Sequence, residues 1–155
     1  MERKKAKRRK PNEAQAEMLI ARIESFRQSY FISTFETSQS VKGLDDEAIT
    51  ELVGRIERAS PRHEKIVGEG INISLVCAHR YQEERISEGR SFFGSLNLRS
   101  GERSALAYLP ALPFWNLPSM LNVEASYVQL QFERVQYGSG DLTSVFIGPI
   151  EAMTD

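Results

Sequence analysis

Beyond Ile71 several stretches alternate apolar and polar residues with a period of two, and this most narrowly limits what the chain can fold into. Ile71, Ile73, Leu75 and Cys77 alternate with Asn72 and Ser74. Phe92, Leu96 and Leu98 share a parity opposed by Ser95, Asn97 and Arg99, and Ser104–Leu109 returns after the turn Ser100-Gly101-Glu102-Arg103. Val128, Leu130 and Phe132 alternate with Gln129, Gln131 and Glu133; beyond them the apolar positions become Val135 and Tyr137. Successive side chains on a strand point to opposite faces, so this pattern describes strands with one buried face. The phase change predicts a β-bulge near Glu133-Arg134. Gly138-Ser139-Gly140-Asp141 reads as a turn, and Leu142–Ile150 closes a second hairpin.

The first sixty residues read differently. Asn12 suits a helix N-cap with Gln15 three residues on, and Ala16, Leu19, Ile23, Phe26 and Tyr30 follow at spacings of three and four. This predicts an amphipathic helix over about 12–28. Tyr30–Phe35 is aromatic and β-branched, the composition of a short strand. Asp45 then caps a second predicted helix carrying Ile49, Leu52, Val53, Ile56 and Ala59, with Leu44 and Ile49 as a hydrophobic staple and Ser60-Pro61 as its end. The expectation is an α+β fold: two amphipathic helices on a mostly antiparallel, twisted or partly closed sheet of about five to six strands. Residues 12–155 form a single domain in this reading, preceded by a flexible basic arm over 1–11.

That arm is the clearest functional signal. Arg3, Lys4, Lys5, Lys7, Arg8, Arg9 and Lys10 face a single acid, Glu2, whereas the other 145 residues hold thirteen basic and twenty acidic side chains. A near-neutral total of −1 therefore hides a cationic arm on an acidic body. Like charges in a block repel and stay solvated. A Lys/Arg segment binds polyanions by releasing condensed counterions, without reading sequence, so nucleic acid and anionic membrane surface both suit it. Lys-Lys-Ala-Lys-Arg-Arg-Lys also has the form of a nuclear-localisation patch. A solubility-setting tail, or an arm lying on its own acidic body, are the competing readings. The body shows no basic stripe that would continue the arm's contact.

Leu109–Leu121 holds only Asn116 and Ser119 as polar residues, three prolines (Pro110, Pro113, Pro118) and the chain's one tryptophan, Trp115. The prolines remove backbone donors and discourage both a long helix and a central strand. Loops are normally polar, so this segment needs a surface to cover. Either it folds over the open end of the sheet, or it forms a protein or homo-oligomer interface through Leu112, Phe114, Trp115 and Leu117, or it acts as a pocket lid.

A third feature is His79-Arg80-Tyr81-Gln82-Glu83-Glu84-Arg85. His79, Arg80, Tyr81 and Glu83 supply an imidazole, a guanidinium, a phenol and a carboxylate, parts suited to acid–base chemistry or anion binding. A charged, solvated connection is the plainer reading. With His63 and His79 as the only histidines and Cys77 as the only cysteine, no zinc spacing exists and no intramolecular disulfide is available. There is no P-loop, Gly-x-Gly-x-x-Gly or Gly-x-Ser-x-Gly motif, so no cofactor or metal is implied. No run approaches the roughly 18 apolar residues of a membrane helix. Together these predict a soluble, cytoplasmic protein, with nuclear or nucleoid association through the arm. The function expected is a non-enzymatic binding or adaptor module that contacts nucleic acid or another polyanion. The alternatives are a protein–protein or homo-oligomerisation domain using residues 109–121, with the arm incidental, and a small ligand-binding or enzymatic domain centred on His79.

Overall fold

A computed structural model describes residues 16–36, 42–78, 94–121 and 126–153. Seven strands close into a barrel: β1 (Glu17–Glu36), β2 (Lys42–Ala59), β3 (Gly70–Ala78), β4 (Gly94–Asn97), β5 (Ser104–Tyr108), β6 (Ser126–Gln136) and β7 (Ser139–Pro149). The order around the barrel is β1-β2-β3-β5-β4-β7-β6. Every pairing is antiparallel except β3–β5. A single α-helix, α1 (Ala111–Leu121), and two 3₁₀ turns, Pro61–Ile66 and Ile150–Ala152, complete the described residues.

The barrel corrects the α+β expectation, and the correction lies in the first sixty residues. Both predicted helices are strands, paired with each other from Leu19↔Ala59 to Glu36↔Lys42. In β2 the buried row is Ala48, Thr50, Leu52, Gly54 and Ile56, a strict period of two. Thr50 and Gly54 are not apolar, so the alternation is hidden from a hydrophobicity count, while outward-facing Ile49 and Val53 complete a false helical stripe. In β1 the register with β2 steps between Ile23 and Ser25, so Glu24 is an extra residue. Leu19, Ala21 and Ile23 face inward before the step, and Phe26, Gln28 and Tyr30 share that face after it. A strand with one bulge thus reproduces spacings of three and four, the signature taken for a helix. A second step between Ile20 and Ala21 makes Glu57 extra on β2. The two bulges cancel, and beyond them the inward rows of β1 and β2 match again.

The bulges also arrange charge. Arg22 and Arg55 sit directly opposite one another, a repulsive pairing on its own. The bulged acids separate them: Arg22 Nε lies 3.1 Å from Glu57 Oε1, and Arg55 Nε lies 2.9 Å from Glu24 Oε1.

The β-rich second half follows the alternation. Ile71, Ile73 and Leu75 are buried, as are Leu96, Leu98, Val128, Leu130 and Phe132. The predicted bulge on β6 is present: Glu133 pairs with Asp141 and Gln136 with Ser139, two residues intervening on β6 and one on β7. The β6–β7 turn falls one residue earlier than expected, at Tyr137-Gly138, both with positive φ (50° and 82°). This is the geometry whose twist matches a two-residue hairpin.

Inward side chains from all seven strands form one core with Phe114, Leu117 and Leu121 of α1. The helix forms despite its prolines. Pro113 sits in the first turn, where no backbone donor is needed. Around Pro118, Ser119 Oγ donates to the Asn116 carbonyl (2.8 Å), and beyond the helix end Ser126 Oγ donates to the Met120 carbonyl (3.2 Å). The second bond satisfies one of the carbonyls that the helix end leaves open, and the first adds a side-chain donor in the last turns. Among the described residues, no helix is long and apolar enough to cross a membrane.

Candidate functional site

The β1–β2 hairpin is longer than the barrel it belongs to. On its far edge β1 pairs with β6 only over Glu17–Arg22, and β2 pairs with β3 only over Glu47–Arg55. Past those limits the two strands continue as a ribbon, paired to Glu36↔Lys42. The face it shares with the barrel interior carries Phe26, Gln28, Tyr30 and Ile32. At its base Gln28 Nε2 donates to Thr50 Oγ1 (3.1 Å), and further out the Tyr30 hydroxyl reaches Asp46 Oδ2 (3.4 Å).

The helix meets this ribbon. Phe114 is fully buried in the core, and Trp115 beside it turns the other way. The two rings stand edge to face, 5.2 Å apart at 89°, and Trp115 then lies 6.1 Å from the Tyr30 ring, tilted by 56°. Phe114 anchors the helix and fixes its neighbour in the gap between helix and ribbon. Trp115 nevertheless remains 51% exposed and Tyr30 54%, with Ile32 at 54%. Phe31, on the reverse face of the ribbon, is 61% exposed. Large apolar side chains scattered singly are ordinary on a surface, but an aromatic pair with an isoleucine two residues on, all half-exposed, has the composition of a binding patch. Aromatic side chains offer large contact area with few rotatable bonds, which is why they anchor interfaces.

The residues singled out from sequence divide accordingly. Phe114 and Leu117 are buried in the core, whereas Trp115 is exposed. Leu112 belongs to α1, but its side chain lies outside the described set. The basic residues Arg3, Lys4, Lys5, Lys7, Arg8, Arg9 and Lys10, and the polar group His79, Arg80, Tyr81 and Glu83, also lie outside the described residues. Sequence reasoning missed Tyr30 as the neighbour of Trp115, because a helical β1 would have turned Tyr30 into the core. The consecutive run Tyr30-Phe31-Ile32 was the available signal: three large apolar residues in a row on a strand must place at least one on each face.

Two further features gather polar side chains. On β1, β2 and β3 a cleft of ≈ 460 Å³ is lined by Ser25, Arg27, Glu51, Val53, Asn72 and Ser74, together with Phe26, Leu52 and Ile73 of the intervening inward row. Arg27 and Glu51 bind each other across it, Arg27 Nε donating to Glu51 Oε2 at 2.9 Å. Elsewhere His63, from the first 3₁₀ turn, faces Glu17 at the start of β1, with its ring 5.5 Å from that of Phe132. Arg62 Nη1 approaches the same carboxylate at 3.2 Å. This group fastens the turn to the barrel. Among the described residues no group of three or more His, Cys, Asp or Glu is placed to hold a metal ion.

No family model, curated protein or solved structure matches this chain.

Proposed function

We propose that the protein is a non-enzymatic binding module. The barrel is a rigid frame that presents Tyr30, Ile32 and Trp115 to a protein partner, and residues 2–10 attach the assembly electrostatically to nucleic acid or another polyanion. The half-exposed Trp115–Tyr30 pair carries the reading. The side chain most costly to leave in water is held outward by a buried neighbour, when a rotation into the core would have been the simpler use of a lone tryptophan. The arm's seven basic side chains support the polyanion half of the proposal.

Because Trp115 is the only tryptophan, its fluorescence reports the patch without ambiguity. Acrylamide should quench it readily in dilute protein; a shielded Trp115 would remove the patch. Labelled single- and double-stranded DNA and RNA, titrated with the full chain and with residues 11–155 at two salt concentrations, test the arm. Truncation should weaken binding and flatten its salt dependence while circular dichroism stays unchanged. Equal affinity of the two forms would remove the arm from the proposal.

A further inference from the structure

The partner chemistry that fits the ribbon best is a β-strand, and the strand that fits best is the ribbon's own. We propose that a second copy of this chain pairs with the protruding edge of β1, antiparallel and across a two-fold axis, so that two ribbons join in one intermolecular sheet. This deepens the docking-patch reading above and rests on it.

The backbone provides the first argument. Among the described residues no strand pairs with the far edge of β1 between Ile23 and Glu36, although β2 holds the near edge throughout. That edge is a row of backbone donors and acceptors, a template for strand addition that proteins usually blunt with prolines or unpaired charges. The stretch contains no proline, and from Ile23 to Phe35 its only charged residues are Glu24 and Arg27. Its charges near the barrel are already neutralised within the copy, Glu24 by Arg55 and Arg27 by Glu51. From Ile23 to Phe35 the edge therefore carries no net charge of its own to repel an identical edge.

The side chains provide the second argument. Tyr30 and Ile32 point to one face of the ribbon and Phe31 to the other, and all three are more than half exposed. A partner laid flat on either face would cover one set and leave the other in water. A strand running alongside flanks both sets at once, which selects edge-on pairing over helix docking. A strand edge related to itself by a two-fold axis normal to the sheet is antiparallel and self-complementary, the usual geometry of a homodimer.

Size provides the third. From Ile23 to Glu36 at about 3.3 Å per residue the edge is roughly 45 Å long, and a strip about 10 Å deep gives about 450 Å² per copy. The exposed half of each Trp115 adds about 100 Å². The total for the pair is then about 1,100 Å², just above the ~1,000 Å² expected of a specific contact and below the standard size. The contact is therefore a reversible dimer and not an obligate one.

Sedimentation of the full chain across a concentration series from about 1 μM to the millimolar range (the span in which a reversible contact dissociates) tests this. The wild type should move from monomer to dimer, and amide exchange within residues 23–32 should slow as the dimer fills. Phe31→Lys places a charge on the edge without touching the core, and should weaken association at least tenfold with the monomer's circular dichroism unchanged. A wild type that stays monomeric throughout overturns the proposal. So does a dimer that Phe31→Lys leaves intact and in which β1 gains no protection. Acrylamide quenching separates the two ideas: a monomer with accessible Trp115 overturns self-pairing alone, whereas a monomer with shielded Trp115 overturns the docking patch as well.

Discussion

Gly94 opens β4, which is four residues long and held between β5 and β7, pairing with Ala107 on one side and Leu142 on the other. A Cβ built there would lie 2.2 Å from the Leu106 carbonyl oxygen, 3.0 Å from Ala107 Cα and 3.0 Å from Leu142 Cδ1. Two of these neighbours are backbone, so no rotamer change relieves the overlap. β4 would have to withdraw by about 1 Å from a partner normally some 4.8 Å away, stretching ladder hydrogen bonds on both sides. Overpacking costs about 1–3 kcal/mol, and weakening two ladder bonds at roughly 1 kcal/mol each brings Gly94→Ala to about 3–5 kcal/mol. For a domain of this size that lowers the melting temperature by about 10 °C. Urea denaturation, with the slope checked for constancy, measures the free energy directly. Gly101→Ala is the internal control: φ is +84° but nothing lies within 4 Å, so only the left-handed penalty of about 1–2 kcal/mol applies. A Gly94→Ala cost below about 1 kcal/mol, or below that of Gly101→Ala, would refute the reasoning.

Tyr137 is 92% exposed and held at φ 50°, so Tyr137→Asn should stabilise the protein by about 0.5–1 kcal/mol, seen as a raised midpoint in denaturant. Thr50→Val keeps the shape but leaves the Gln28 amide without its acceptor inside the ribbon, and should cost about 1 kcal/mol by the same assay. His63→Ala removes the group facing the largely buried Glu17 and the ring beside Phe132, and should cost about 2 kcal/mol; a change under 0.5 kcal/mol would show that Arg62 alone holds the carboxylate. The bulge pairs are half-exposed, so a double-mutant cycle on Arg55 and Glu24 should return a coupling of only about 0.2–1 kcal/mol.

What could be read from the sequence followed from where the alternation was unbroken. β3, the β4–β5 hairpin and the β6–β7 hairpin with its bulge are visible because Ile71–Cys77, Ser104–Leu109 and Val128–Tyr137 place apolar residues where the pleat requires them. β1 and β2 were hidden by two specific circumstances, an inserted Glu24 that changes phase and inward positions occupied by Thr50 and Gly54. The capping signal at Asp45 then agreed with the wrong period, although Asp45 lies inside β2, paired with Ser33. Closure of the sheet was not legible, because it depends on β1 meeting β6, a pairing no local pattern encodes. The patch was half legible. Trp115 stood out by composition, but its neighbour Tyr30 came from a segment assigned to another element and could be joined to it only by the fold.

The seam between β1 and β6 sets the order of events during folding. Leu19 meets Leu130 there, and the Gln129 amide reaches the Met18 sulfur across 111 positions of chain. Contacts that distant bring no return until nearly everything between them is in place, which places the barrel among slow-folding topologies. During synthesis the long β1–β2 hairpin emerges first and must wait, one edge open, until β6 has left the ribosome. Over that interval the edge that closes the barrel and the edge that extends past it are one continuous unpaired strand. The lifetime of the unclosed chain is therefore the period of greatest exposure to misassembly, and anything that shields β1 before closure would raise the yield of folded protein without changing its final stability.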